Sequence, residues 1–153
     1  MVKCAYCELA NEKFENTGLI YEDEDFKAIF IPQTSLGHAI ILPKKHYVLS
    51  TQIPEFVTEK MYSIIPDLLK KISPIIKTDS FTIISNSGCD QFVAHYSLHV
   101  VPRVENDGLN FIWKKRIITK SALDVVKSQL TQGSLSAPSS KEVRQKYFQG
   151  RLP

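Results

Sequence analysis

The chain has 153 residues and contains no apolar run long enough to cross a bilayer, which argues against a helical membrane protein. Its first residues, Met1 to Cys7, lack the apolar core of a signal peptide, so a cytoplasmic, intracellular protein is expected. There is no large surplus of either charge. Nineteen Lys and Arg against 16 Asp and Glu leave a mild net charge of +3, which does not argue for nucleic-acid binding, a function that usually shows a clustered basic face. Cysteine is scarce, with three residues, so metal ligands or free thiols are expected rather than a disulfide framework. No internal repeat is present. The length suits one domain with a real core and not two ordinary ones.

Against these absences stands an ordered series of short elements. Gly18–Glu22 reads as a strand, Glu22–Asp25 as an acidic turn, and Phe26–Ile31 as a second strand closed by Pro32. His38–Leu42 is a third strand, apolar enough to be central, and Pro43–Tyr47 a loop. From Pro54 the period becomes helical: Phe56, Val57, Met61, Ile64, Ile65, Leu68, Leu69 and Ile72 form one stripe. Pro54 suits its first turn, and Pro66 predicts a kink or two helices meeting. Phe81–Ser85 is a fourth strand. Leu109–Trp113 reads as a short extended piece, and Ser121 as the cap of a helix carrying Leu123, Val125, Val126 and Leu130. Gly133–Ser140 is a small, polar linker, and Lys141–Pro153 a basic tail. The sum is an α+β domain over residues 1–131, with linker and tail over 132–153. It has a mainly antiparallel sheet of about five strands, one long helix and a C-terminal helix.

The centre of the chain is Gln91–Arg103, which holds two of the four histidines. Polar and apolar residues alternate over about ten positions, the period of a half-buried strand. Gln91, Val93, His95, Ser97, His99 and Val101 are then expected on one face. The spacing His95-x-x-x-His99 also occurs in helical zinc sites, but the Glu of the zinc-protease motif is replaced by Tyr96. In a strand the two histidines stand roughly 13 Å apart, at about 3.3 Å per residue, and serve different purposes.

Cys4-Ala5-Tyr6-Cys7 offers two thiolates at zinc-ligand spacing. His38, His46, His95 and His99 are the candidates for the remaining ligands. A set of Cys4, Cys7, His46 and His95 would tie the N-terminus to the sheet. The alternative is a pair of free thiols beside a solvated His46.

Four blocks together resemble the histidine triad (HIT) proteins, nucleotide-binding hydrolases and transferases that act on nucleoside phosphoramidates and dinucleoside polyphosphates. The blocks are Cys4-x-x-Cys7, Tyr21–Phe26, Gly37–His46 and Asn86–Arg103, and the likeness spans about residues 4–130. The resemblance implies the HIT fold, a homodimer with joined sheets, a purine nucleotide or nucleotide-like ligand, and a structural zinc on Cys4, Cys7, His46 and His95. It places His38, Asn86, Gln91 and His99 around the nucleotide pocket. The family's strand carries three histidines at alternate positions. The middle one attacks the α-phosphorus, and the third orients it. Here those positions are His95, Ser97 and His99.

Ser97 therefore stands where the nucleophile is expected. A serine hydroxyl needs an adjacent base, and a nucleotidyl-serine ester resists water far better than its histidine counterpart. Two further departures accompany it. No carboxylate stands at Phe30-Ile31-Pro32 to grip a ribose, and Gly88-Cys89-Asp90-Gln91 is a shortened loop with an acid where glycine is expected. The resemblance thus implies a nucleotide-binding protein with impaired or lost hydrolase activity. The alternative is a non-catalytic binding or regulatory dimer that keeps the zinc.

Overall fold

A computed structural model of the chain describes residues 4–11, 18–32, 34–110, 115 and 117–130. They fall in two compact units, Met1–Asn110 and Phe111–Pro153. The first unit contains α1 (Ala5–Asn11), β1 (Leu19–Glu22), β2 (Phe26–Phe30), β3 (Ala39–Pro43), α2 (Glu55–Ser63), α3 (Ile65–Ile76), β4 (Phe81–Ile84) and β5 (Leu98–Pro102). The strands form one five-stranded sheet in the order β1-β2-β3-β5-β4, with every neighbouring pair antiparallel. The expected α+β architecture is present.

The acidic turn between β1 and β2 is closed by its own side chain. Asp23 Oδ1 accepts from the backbone N–H of Asp25 at 2.8 Å and of Phe26 at 2.9 Å. β3 is buried along its whole length, as a central strand of uninterrupted apolar residues should be. The two-residue period then divides the sheet into two faces. Phe26, Ala28, Ala39, Ile41, Leu98 and Val100 pack against Val57, Met61, Ile65, Leu68 and Ile72 of α2 and α3. Each Val, Leu, Ile, Phe or Met among them contributes about 1.5–3 kcal/mol on burial, so this face carries most of the core. Ile29, Ile40 and Leu42 point the other way, where α1 packs on them through Tyr6, Leu9 and Ala10, with Ile31 alongside. The lightly covered face is where the histidines lie.

The helical stripe from Pro54 is two helices. They meet at Ile64, and Pro66 sits in the first turn of α3, where its missing N–H has no intrahelical partner to lose. Pro54 occupies the N-cap of α2 rather than its first turn.

A larger difference lies in the central stretch. The strand expected from Gln91 begins only at Leu98. The alternating residues before it are held by turns: the N–H of Gln91 donates to Gly88 O at 3.2 Å, and that of His95 to Val93 O at 2.7 Å. The Tyr96 N–H donates to Tyr47 O at 2.6 Å, so the loop after β3 takes the backbone group that a ladder would have used. The single shared face expected for Gln91 through Val101 is therefore real only from Leu98 onward. A helix around the cysteines was not expected either, yet α1 spans Ala5–Asn11.

In the second unit α4 spans Lys120–Leu130 and buries none of its residues. Its cap is Thr119, not Ser121: Thr119 Oγ1 accepts from the Ala122 N–H at 3.3 Å, while Ser121 lies inside the first turn. The linker over 133–140, the basic tail over 141–153 and Phe111–Trp113 of the extended piece lie outside the described residues. Among the described residues no helix is long and apolar enough to cross a membrane.

Candidate functional site

Two clusters of polar side chains flank the end of the central stretch. The first is Cys4, Cys7, His46 and His95, whose ligand-type atoms all lie within 4.8 Å of one another. Cys4 immediately precedes α1, its carbonyl accepting from the Glu8 N–H at 3.1 Å, and Cys7 lies within the helix. His95 is fully buried, and its Nε2–H donates to the carbonyl of Pro43 at 3.0 Å, which leaves Nδ1 directed at the sulfurs. Nδ1 of His95 is 3.5 Å from Cys4 Sγ and 3.4 Å from Cys7 Sγ, and Nδ1 of His46 is 3.2 Å from Cys7 Sγ. A tetrahedral ion with metal–sulfur and metal–nitrogen bonds of about 2.3 and 2.0 Å sets ligand atoms roughly 3.3–3.8 Å apart. The three sulfur–nitrogen distances of 3.2–3.5 Å are close to that range, and the donor set of two sulfurs and two imidazoles is one that could hold a metal ion. Burial pushes the Cys7 thiol up to about 11, with Cys4 beside it adding to the shift, so the protein alone disfavours a thiolate here. Burial also pushes His95 below the ordinary imidazole value, partly offset by the Pro43 carbonyl. Both effects keep charge off the protein until a cation supplies it.

The second cluster is a chain of three side chains. His38 Nε2 is 3.1 Å from His99 Nδ1, and His99 Nε2 is 3.1 Å from Ser97 Oγ. Register explains the meeting. His99 pairs with Ile40 across β3 and β5, and His38 immediately precedes β3 on the same face as Ile40. Gly37 sets the entry angle. Its φ is +82°, and a Cβ there would stand 3.2 Å from Ile76 and 3.3 Å from Pro102, so only glycine fits. His38 and Ser97 are buried, and His99 is half-buried. Burial, with His38 adjacent, lowers the His99 pKa to about 4, so its imidazole is neutral at pH 7. Two proton arrangements satisfy the chain. In one, the Ser97 hydroxyl donates to His99 Nε2, and His99 Nδ1–H donates to His38 Nε2.

Ser97 and His99 form part of a recess of about 30 Å³ whose rim also includes Tyr6, Asn86, Asp90, Gln91 and Phe92. This is room for a phosphoryl oxygen or a water, so the bulk of any larger ligand would lie outside it. Asn86 and Gln91 reach this recess but also brace its loop. Asn86 Nδ2 donates to Asp90 O at 3.1 Å. Gln91 Nε2 donates to Val48 O at 2.8 Å, and Gln91 Oε1 accepts from the Gly88 N–H at 3.1 Å. Cys89 is exposed.

The structure thus brings together all four expected metal ligands, and separately His38, Ser97 and His99. Three participants were not foreseen. Tyr6 packs edge-on to His95 with ring centroids 6.1 Å apart, and also lines the recess, so it touches both clusters. Asn11 ties α1 to the end of β3 by donating to Lys44 O at 3.0 Å. Phe92 stands fully exposed at the rim. Tyr6 is marked in the sequence only by its place between two cysteines. A larger cavity of about 590 Å³, lined by apolar residues including Phe30, Leu36, Ile72 and Ile76, contains none of the clustered groups.

No protein-family model matches the sequence. Curated proteins do. The chain is 30% identical over 110 residues to an uncharacterised HIT-like protein of Methanocaldococcus jannaschii, covering 69% of this chain and 82% of that one. It is 30% identical over 114 residues to an adenosine 5'-monophosphoramidase of Saccharomyces cerevisiae, covering 72% of this chain and 69% of that one. Among solved structures, a zinc-bound histidine triad family protein from Mycobacterium smegmatis superposes with a TM-score of 0.59 at 27% identity, covering 85% of this chain and 94% of that one. With likeness over most of its length and most of theirs, the chain belongs to the histidine triad family.

Proposed function

We propose that this protein binds a purine nucleotide with its phosphate at Ser97 and His99, holds a structural zinc on Cys4, Cys7, His46 and His95, and turns over nucleoside phosphoramidates poorly because Ser97 stands in the nucleophile's place. The observation that carries the reading is the His38–His99–Ser97 chain at the floor of the recess. A neutral imidazole with one nitrogen already engaged by His38 presents its other nitrogen to whatever occupies Ser97's position. The name of the yeast relative supplies the substrate class, an adenosine 5'-monophosphoramidate. Asn86 and Gln91 stand at the rim, where the ribose and phosphate would enter.

Zinc is favoured over other cations by the donor set. Two thiolates and two imidazoles in a closed four-ligand cluster suit a structural zinc, with no open position for catalysis. When bound it would clamp α1 against the end of β3. β4 ends the sheet, with Ile83 exposed on it, and is the edge where a second copy would extend the sheet into a homodimer.

The decisive comparison is turnover of adenosine 5'-phosphoramidate by the wild-type protein and by Ser97→His. The variant is expected to exceed wild type by at least about a hundredfold in kcat. Equal, negligible turnover by both, with no binding of AMP by titration calorimetry, would refute the nucleotide reading. Metal content by plasma emission is expected at one zinc per chain, and metal-free wild-type protein would overturn the zinc assignment.

A further inference from the structure

Ser97 is more than a missing histidine. Its hydroxyl oxygen lies at hydrogen-bonding distance from His99 Nε2, and His99 Nδ1 lies at the same distance from His38. A hydroxyl, an imidazole and a group that orients that imidazole are therefore in sequence, the order of a hydroxyl-activating chain with His38 where a carboxylate would otherwise stand. Asp90 also lines the recess and opposes a phosphoryl group there, while the remaining surroundings favour the role. Ser97 opens onto the recess rather than into the core, and the recess has room for a phosphoryl oxygen. The other histidine of the stretch, His95, is engaged by Pro43 and faces the thiols, so it does not compete for the serine.

We propose that Ser97 is a nucleophile that takes one nucleotidyl group from a nucleoside 5'-phosphoramidate and keeps it, so that the protein becomes covalently nucleotidylated at this residue. The inference rests on the nucleotide-binding reading and extends it from impaired turnover to a single, arrested turnover. Ser97 Oγ attacks the phosphorus, and its proton passes to His99 Nε2. The Oγ–P bond forms as the P–N bond breaks, and the same proton leaves on the departing nitrogen, which is released as a neutral amine. The site ends with a nucleotidyl-serine phosphodiester and His99 again neutral. Water can complete hydrolysis only by expelling a serine alkoxide, a far poorer leaving group than the imidazole of a nucleotidyl-histidine. His99 acts on the reacting atom. His38 is a positioning residue, acting through His99.

The test is intact-mass spectrometry of the full chain after incubation with adenosine 5'-phosphoramidate. Wild type is expected to gain one adenylyl group, mapped to the peptide containing Ser97, and to retain it through acid treatment that discharges phosphohistidine. Ser97→Ala should gain none, while Ser97→Thr, which keeps the hydroxyl, should still be labelled. Labelling by His99→Gln should slow by about a hundredfold or more. His38→Ala should slow labelling similarly, and His38→Gln, which keeps an acceptor, should recover part of the rate. Wild-type protein that binds AMP yet gains no mass overturns this inference and leaves the nucleotide reading standing. Protein that binds no AMP overturns both. A label that persists in Ser97→Ala, or sustained turnover without a retained label, also overturns it.

Discussion

His95 and His99 lie four residues apart in the same stretch and work in opposite ways. His95 gives one nitrogen to a backbone carbonyl and the other to two sulfurs. His99 gives both nitrogens to side chains that can themselves exchange protons. A carbonyl can only accept, so it fixes the His95 tautomer and makes Nδ1 a permanent lone-pair donor. An imidazole and a hydroxyl can each donate or accept, so the proton at His99 is free to shift. The lesson is that an imidazole's role is set by what holds its second nitrogen. The backbone differs too. His99 sits in a regular strand between β3 and β4, and His95 on a chain of turns.

The contrast is broken most severely at the metal cluster. Replacing His95 with Ala removes a ligand of the proposed zinc, leaves a cavity and orphans the Pro43 carbonyl. Equilibrium unfolding is expected to show a loss of about 3–5 kcal/mol, together with loss of bound zinc. Cys4→Ser should release the metal as well, while His99→Gln should leave metal content unchanged. If His99→Gln also empties the cluster, the two sites are not separate.

An intermediate effect is expected with pH. His99 is held neutral in the folded protein, at about 4 against an ordinary 6.5. On acidification below pH 6.5 the unfolded chain gains a proton that the folded chain refuses. Its stabilising contribution is therefore complete above that pH and is lost as the pH falls towards 4. Denaturation midpoints measured from pH 7 to pH 4 should fall in wild type, and fall less in His99→Gln. Identical slopes would show that His99 is not held neutral by its surroundings.

The smallest effect concerns the loop between the clusters. Gln91→Ala removes two hydrogen bonds that brace this loop, at a cost of about 1–2 kcal/mol. AMP affinity is expected to weaken while the zinc stays bound, and calorimetry with metal analysis on the same sample separates the two.

Much of this was legible in the sequence. Apolar runs and turn residues marked the strands and their mainly antiparallel character, though not their order in the sheet. Pro66 marked the helix junction. The cysteine pair and the central histidines indicated two sites before any geometry was known. Other features were hidden for physical reasons. Residues 91–97 have strand-like alternation, yet their backbone is claimed by Tyr47 and by tight turns, a tertiary override of local pattern. α1 has seven residues, too short to be a stable helix alone, and depends on Asn11 and the packing of Tyr6 and Leu9. The contact between His38 and His99 joins residues far apart in the chain and depends on strand register, which composition does not encode. Gln91 matched a site pattern, but its bracing of Val48 and Gly88 emerges only from the folded loop.

β3 has one consequence of its own. His38 immediately precedes it, and the carbonyl that fixes His95 closes it at Pro43. This five-residue strand is thus a ruler with a different site registered at each end. Point substitutions elsewhere damage one site at a time. Deleting a single residue from β3 would turn its remaining side chains to the opposite face and slide one end relative to the other. The proton chain and the cysteine–histidine cluster would then come apart in the same step, although they share no atom.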